Sequence, residues 1–185
     1  AGEPVRLPGV QARLPGGDAG TARAQTEPTA PSGEPLITKV AELRALEPEE
    51  AAEGRPVQIT GVITYFDPER SLSFIQDETG GTYFSGTLLS DAGFVGNEAA
   101  AVSRRVEISG YSNQGSFAPH LTGPSWKAPR FLGSFPLPEP VKLVPGRILD
   151  PSLEARWITV EAIVRAQSFN DGRLNLDLTN GTALF

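Results

Sequence analysis

A long run of alternating residues is the feature that most constrains the fold of this chain. In the sequence VQITGVITYF, residues 57–66, apolar and small side chains recur at every second position from Val57 to Tyr65. A period of two places such residues on one face of an extended strand. Gly61 lies in the middle of the run, where glycine permits the sharp bend of a barrel corner. The pattern predicts one long, bent strand.

Turn residues divide the following segment into further short strands. Asp67-Pro68 favours a turn, and Asp77-Glu78-Thr79-Gly80-Gly81 is typical of a tight hairpin connection. We expect strands over residues 71–76, 82–85, 105–111 and 117–121, with Leu72 and Phe74 pointing inward on the first of these. Residues 86–103 lack alternation, and we interpret them as a loop with one helical turn.

Two short helices are predicted before the first strand. Thr38 is a suitable cap for a helix over residues 39–46, whose apolar residues share one face at spacing three. Pro48 suits the first turn of a second helix, which Gly54 ends. A helix-capped sheet of five strands, with a long connection after the third, predicts a mainly β fold. It matches the small Greek-key barrel called the OB-fold.

An internal repeat extends this prediction beyond one barrel. The pattern VQITGVITYF, LSFIQ, TYF recurs as ITVEAIVRAQ, LNLDL, TALF about 100 residues later, which is the spacing of a whole small domain. We therefore expect one complete barrel and the first strands of a similar second module, in a parent protein that continues past Phe185. The predicted segments are a disordered linker (residues 1–35), a first OB-like barrel (36–123), a proline-rich linker (124–146) and the truncated start of a second OB-like module (147–185).

Composition and charge exclude several kinds of site. The net charge is −6 and the pI is about 4.9, which makes a nucleic-acid partner unlikely, because phosphates require a positive surface. The chain has no cysteine, so it has no disulfide, zinc-thiolate site or thiol nucleophile. No stretch approaches the roughly 20 apolar residues of a membrane-spanning helix.

Most of the amino-acid sequence also resembles a known protein family. The segment ITKVAELRALEPEEAAEGRPVQITGVITYFDPERSLSFIQDETGGTYF resembles the OB-like modules in the extracytoplasmic sensor regions of some bacterial histidine kinases and related surface proteins. The resemblance covers residues 36–185 and implies an exported, periplasmic or cell-surface location beside a membrane-anchored signalling region. It carries over no catalytic residues. Residues 86–104 depart from the family as a long insertion, and no kinase part is present.

Aromatic residues on the first three strands are the best indication of a binding surface. OB-folds stack bases or sugars on this face of the sheet. We interpret Phe74 and Phe84 as core residues, and we predict Tyr65, Tyr83 and Phe117 as ligand contacts. A packing role is the competing interpretation for each of these rings.

The other candidate residues are interpreted as structural. His120 is the single histidine, and general-base or metal roles require partners, so it is read as a strand-end or surface residue. Asp77 and Glu78 lack the oxygen ligands of a calcium loop, and an Asp at this place normally bonds its own turn. A small basic cluster is interpreted as solvated surface charge and comprises Arg104, Arg105, Lys127 and Arg130. No catalytic residue, metal site or cofactor is predicted.

These features favour a non-enzymatic, extracytoplasmic binding or spacer module, the sensory part of a larger signalling or surface protein. Its partner is an unknown ligand or protein, and it would meet a membrane only through parts of the parent protein outside this sequence. The alternative is single-stranded nucleic-acid binding through the same OB face, against which the acidic charge weighs. An enzymatic role remains only if the continuation of the chain supplies the chemistry.

Overall fold

The computed structural model of the protein describes residues 33–86, 88–89, 98–144, 147, 150–170 and 172–179. Most of the predicted linker over residues 1–35, and the predicted strand that ends at residue 185, therefore lie outside the described residues. Two helices come first, α1 (Val40–Arg44) and α2 (Pro48–Ala52). The strands are β1 (Pro56–Asp67), β2 (Leu72–Gln76), β3 (Gly81–Tyr83), β4 (Arg104–Asn113), β5 (His120–Thr122), β6 (Arg130–Ser134), β7 (Val141–Lys142), β8 (Ile158–Thr159), β9 (Ile163–Asn170) and β10 (Arg173–Thr179).

The first five strands form a nearly closed barrel. Their order in the sheet is β3-β2-β1-β4-β5, and every neighbouring pair is antiparallel. A parallel bridge between Phe84 and Leu121, with Ser85 N donating to Leu121 O at 3.2 Å, brings the end of β3 against β5. Strands β1, β2 and β3 form a meander, and β4 and β5 close the sheet beside it. This is the five-stranded Greek-key connectivity of the OB-fold. The predicted mainly β, OB-fold-like class with a short N-terminal helix is confirmed.

The alternating strand β1 supplies the centre of the core. Val57, Ile59 and Ile63 are fully buried, as the period of two predicted. They pack with residues from α1, β2, β4 and β5 and from the segment after β3, namely Val40, Leu43, Ile75, Phe84, Val106, Ile108 and Leu121. One apolar face of each element therefore meets in a single core.

Gly61 lies where β1 changes partners. β1 pairs with β4 as far as Val62 and with β2 from Val62 onward. A Cβ atom at Gly61 would stand 2.7 Å from Gln76 O and 2.8 Å from Ile75 Cγ1. Only glycine fits such an approach, so a close contact between β1 and β2 accounts for this residue.

The prediction that Leu72 and Phe74 point inward was wrong. Ser73 and Ile75 are the fully buried residues of β2, and Leu72 and Phe74 are half-buried on its outer face. The apolar side chains of Leu72 and Phe74 suggested that their face of β2 is the buried one. The buried face instead carries Ser73, a polar residue. β1 bulges at Thr64, so that Ile63 pairs with Ile75 and Tyr65 with Phe74.

The predicted cap of the first helix was also wrong. Helix α1 begins at Val40 rather than at residue 39, and Thr38 makes no cap. Asp77 Oδ2 instead accepts a hydrogen bond from Val40 N at 2.9 Å, and Thr79 Oγ1 accepts from Ala41 N at 2.9 Å. The β2–β3 turn thus supplies the acceptors that the first turn of a helix needs. The second helix begins at Pro48 as predicted.

Several boundaries along the second half of the barrel differ from the predictions. β5 is displaced toward Thr122, which leaves Phe117 in the preceding loop. The described part of residues 86–103 includes the short 3-10 turn Glu98–Ala100, and Gly86, Leu88 and Leu89 also adopt 3-10 conformation, where one helical turn was expected. Within the segment predicted as a proline-rich linker, β6 forms a sixth strand that pairs with β4. Proline density hides this strand, although Arg130–Ser134 itself contains no proline.

The hairpin β9–β10 repeats a feature of β1–β2. The predicted strand over residues 156–166 is divided into β8 and β9, and β9 pairs with β10. β9 bulges at Arg165, which the sequence repeat aligns with the bulged Thr64 of β1. One face of the hairpin is apolar and exposed, and it includes Val164, Phe169, Leu174 and Leu176.

Candidate ligand-binding site

The three predicted ligand contacts lie in two different cavities. Tyr83 and Phe117 line a cavity of about 210 Å3, called here the aromatic cavity, together with Arg44, Ser116, His120 and Glu154. Tyr65 lies in a neighbouring cavity of about 290 Å3 with Asp67 and Arg173. The structure therefore brings Tyr83 and Phe117 together and places Tyr65 apart from them.

Contacts at the hydroxyl and at the ring fix the side chain of Tyr83. It stands on β3 in register with Phe74 of β2, which in turn pairs with Tyr65 of β1. Its hydroxyl donates to Ser71 O at 2.7 Å, and its ring meets the His120 ring edge-on at 4.9 Å between centroids. The tyrosine is thus pre-oriented, with a half-buried ring facing the cavity.

Phe117 is presented by a tight turn in the β4–β5 loop. Gly115 has a φ of +64°, and its N–H donates to Asn113 Oδ1 at 2.9 Å. A Cβ atom at Gly115 would stand 2.3 Å from Ala118 O, so only glycine allows the loop to close this tightly. The turn leaves the Phe117 side chain 94% exposed at the rim of the aromatic cavity.

His120 forms a wall of the cavity, a role that the sequence did not reveal. It is the first residue of β5, which agrees with its interpretation as a strand-end residue. Burial lowers the pKa of His120 below its ordinary value of 6.5, against a weaker raising effect of Glu154 and of a backbone hydrogen bond. Its ring is therefore neutral at pH 7 and meets the Tyr83 ring as an uncharged aromatic group.

An ion pair crosses the floor of the aromatic cavity. Arg44, the last residue of α1, donates from Nη2 to Glu154 Oε2 at 3.0 Å. The Arg44 side chain is only 18% exposed, and that of Glu154 is 38% exposed. No local signal could have paired two residues that lie on elements so far apart in the chain.

The cavity around Tyr65 is closed by a contact with the β9–β10 hairpin. Arg173 of β10 forms an ion pair with Asp67 at the end of β1, and Arg173 Nη1 lies 3.4 Å from Tyr65 Oη. Burial raises the pKa of Asp67, but the hydrogen bonds from Arg173, Arg70 and Tyr65 outweigh burial and lower it overall. Tyr65 thus takes part in joining the barrel to the hairpin.

A third and larger cavity, of about 490 Å3, lies near Gly61 and is lined by residues that include Gln76, Arg105 and Phe135. Arg105 stands over the Phe135 ring there, with 5.3 Å between the guanidinium carbon and the ring centroid. Across the described residues, no group of three or more His, Asp or Glu side chains is placed to hold a metal ion. Asp77 instead accepts three hydrogen bonds within its own turn, from Thr79 and Gly80, which confirms the turn interpretation.

Comparisons with known proteins add little to this description. The chain matches no protein-family model and no curated protein. A solved structure of the hypothetical protein YgiW from E. coli is similar over 55% of this chain and 94% of that chain, with 18% identity and a TM-score of 0.37. A likeness at this level carries no argument, and the fold assignment rests on strand order and register. Among the described helices, none has the length and apolar character to cross a membrane.

Proposed function

We propose that the protein is a non-enzymatic binding module of an extracytoplasmic sensor or surface protein, and that the aromatic cavity takes its ligand. The observation that carries this proposal is the pairing of Tyr83 and Phe117 around one cavity. OB-folds bind their ligands with the face of strands 2 and 3 and with the β4–β5 loop. Tyr83 stands on β3 and Phe117 on the β4–β5 loop, so the two rings occupy both of these positions.

The location and the sensory role have a different basis. They rest on the resemblance of residues 36–185 to extracytoplasmic sensor modules, which the cavity neither requires nor opposes. A spacer without a ligand is the competing function for such a module. A preformed cavity with a fixed tyrosine favours binding, because a pre-oriented aromatic ring loses little conformational freedom when a ligand arrives.

Single-stranded nucleic-acid binding receives no support from the charges around the rings. Arg44 and Arg173 lie beside Tyr83 and Tyr65, and each is paired with a carboxylate, Glu154 and Asp67 respectively. Since the chain also carries a net charge of −6, the face presents little positive potential to phosphates. Fluorescence anisotropy with a labelled oligonucleotide at low salt is expected to show no binding.

A thermal-shift screen tests the binding proposal. The panel contains neutral sugars, inorganic phosphate and benzoate, and the proteins are the wild type and the Tyr83→Ala, Phe117→Ala and Phe169→Ala variants. Phe169 is the matched control, because its ring is 72% exposed on the hairpin and lies outside the cavity. We expect a panel member to raise the Tm of the wild type and of Phe169→Ala but not of the two cavity variants. A flat result across the panel would favour the spacer function.

A further inference from the structure

A short segment of the chain, residues 150–157, lies against the barrel beside the aromatic cavity and is called here the strap. It begins with a 3-10 turn, Pro151–Leu153, in which Asp150 Oδ1 accepts from Ser152 N at 2.9 Å. Its middle passes so close to β3 that a Cβ atom at Gly81 would stand 2.1 Å from Ala155 O. The absence of a side chain at Gly81 therefore allows the strap to seat on β3.

Hydrogen bonds hold the strap at both ends. Arg44 Nη2 donates to Pro151 O at 2.8 Å and to Glu154 Oε2 at 3.0 Å. At the other end, Trp157 N donates to Gln76 Oε1 at 2.7 Å. Arg44 and Glu154 both line the aromatic cavity, so the contact that fixes the strap is also part of the candidate site.

The closed strap also carries unfavourable features. Ala155 adopts a φ of +55°, the left-handed region that a residue with a Cβ atom rarely occupies. Arg156 Nε is buried and has no hydrogen-bond partner among the described residues. Partly exposed ion pairs such as Arg44–Glu154 stabilise a fold only slightly. These features oppose the hydrogen bonds that seat the strap on β3.

The chemistry of the cavity indicates which ligand would release the strap. Tyr83, Phe117 and His120 form a wall of rings, and Arg44 is a single guanidinium group beside it. A guanidinium group binds carboxylates strongly and with defined geometry. In the closed position Glu154 supplies that carboxylate from within the chain, which leaves the charges in the cavity balanced.

We infer that Glu154 is a built-in competitor for the ligand, and that the cavity takes a carboxylate attached to an apolar ring. Such a ligand would pair with Arg44 and place its ring against Tyr83 and Phe117. Glu154 would then lose its partner, and the strap would leave Gly81. This inference rests on the proposed function of the aromatic cavity. It adds a ligand class and an intramolecular competitor, Glu154, to that function.

Benzoate and its neutral analogue benzamide are the probes that test the inference. Binding is followed by NMR signals of Tyr83, Phe117 and His120 in the wild type and in the Glu154→Gln, Arg44→Met and Glu78→Gln variants. Glu78 is the matched control, because it pairs with Lys39 on the surface and does not line the cavity. Hydrogen exchange of the Trp157 amide reports the strap without any ligand.

Ligand binding and exchange of the Trp157 amide have separate expected results. Glu154→Gln should bind benzoate roughly two- to fivefold more tightly and exchange the Trp157 amide faster by a similar factor. Arg44→Met should exchange this amide faster but lose benzoate binding, and Glu78→Gln should behave as the wild type does. Benzamide should bind the wild type and Glu154→Gln equally.

The two proposals fail in different ways. If the probes bind in the cavity but Glu154→Gln changes neither benzoate affinity nor Trp157 exchange, the role of Glu154 is overturned and the binding function stands. If neither probe shifts the cavity signals in any variant, the aromatic cavity is not a site for ring-bearing ligands. That result overturns the inferred ligand class and the role of Glu154, whereas the binding function is overturned only if the sugars and inorganic phosphate of the thermal-shift panel also fail to bind.

Discussion

Asp77 joins the β2–β3 turn to helix α1 through its two carboxylate oxygens. Oδ1 accepts hydrogen bonds from Thr79 N at 2.7 Å and Gly80 N at 3.0 Å, and Oδ2 accepts from Val40 N at 2.9 Å. The side chain is buried, so its removal leaves several N–H groups without acceptors. We expect Asp77→Ala to lower the free energy of unfolding by about 2–3 kcal/mol, measured by urea denaturation.

The neighbouring carboxylate provides the control for this prediction. Glu78 is 68% exposed and pairs with the surface residue Lys39. Glu78→Ala should therefore change the denaturation midpoint very little, because exposed ion pairs contribute little. Equal effects of the two substitutions would contradict the assigned role of Asp77.

The residues of the aromatic cavity differ in how far the sequence could predict them. Tyr83 and Phe117 were predictable, since an aromatic ring in an alternating strand or beside a glycine turn is visible locally. Arg44, His120 and Glu154 were not, because they meet only when α1, β5 and the strap come together in the folded chain. Tyr65 was predicted as a ligand contact, but its contact with Arg173 depends on a hairpin about 100 residues away.

At the scale of elements, one carboxylate of β4 reinforces the pairing of β4 with strand β6. Glu107 of β4 accepts from Lys127 Nζ and from Arg130 Nη2, each at 3.1 Å, and its side chain is only 12% exposed. Burial would raise the pKa of Glu107, but these two cations outweigh burial and lower it below its ordinary value of 4.5. The ionised form is therefore favoured by folding.

This shift gives a pH-dependent prediction. A carboxyl group with a lowered pKa contributes stability above its ordinary pKa, and that contribution disappears as the pH falls through the lowered value. Glu107→Gln should thus lower the Tm at pH 7, and the difference from the wild type should shrink as the pH falls below 4.5 and vanish below the lowered pKa. Glu161→Gln is the control, since its pair with Lys142 is largely exposed. A difference that stays constant with pH would exclude the ion pairs as its cause.

A substitution at Gly61 tests how closely β1 and β2 approach each other. A methyl group there would meet Gln76 O and Ile75 Cγ1 at less than van der Waals distance. We expect Gly61→Ala to lower the free energy of unfolding by about 1–3 kcal/mol, measured by thermal and urea denaturation. Thr60→Ala, on the same strand with a half-buried side chain, should cost much less. A neutral Gly61→Ala would show that the strands can separate freely at this point.

The elements that were predicted correctly are those with local signals. β1 has its alternation, and β2 and β3 follow from the Asp67-Pro68 and Asp77 to Gly81 turns. The inward face of β2 was not predictable, because a bulge at Thr64 and a buried Ser73 override the apparent pattern. β6 was missed because its strand pairing depends on β4 rather than on its own composition.

At the scale of the whole molecule, the barrel and the β9–β10 hairpin differ in how they are stabilised. The barrel has a common apolar core, whereas the hairpin exposes the side chains of its apolar face. A two-stranded hairpin is marginally stable by itself, and Arg173 binds it to the barrel by polar contacts. Its amide protons should be protected from hydrogen exchange roughly 100-fold less than those of β1 and β4. Equal protection would show that the hairpin unfolds only with the barrel.

On the proposed function, the OB-fold barrel binds a ligand between Tyr83 and Phe117. NMR titration of the whole chain with sugars, inorganic phosphate and benzoate tests it most directly, because every residue reports separately. We expect at least one of these compounds to shift the signals of Tyr83, Phe117 and His120, while those near Arg105 and Phe135 stay in place. If no compound moves the three cavity signals, the aromatic cavity is not a ligand site.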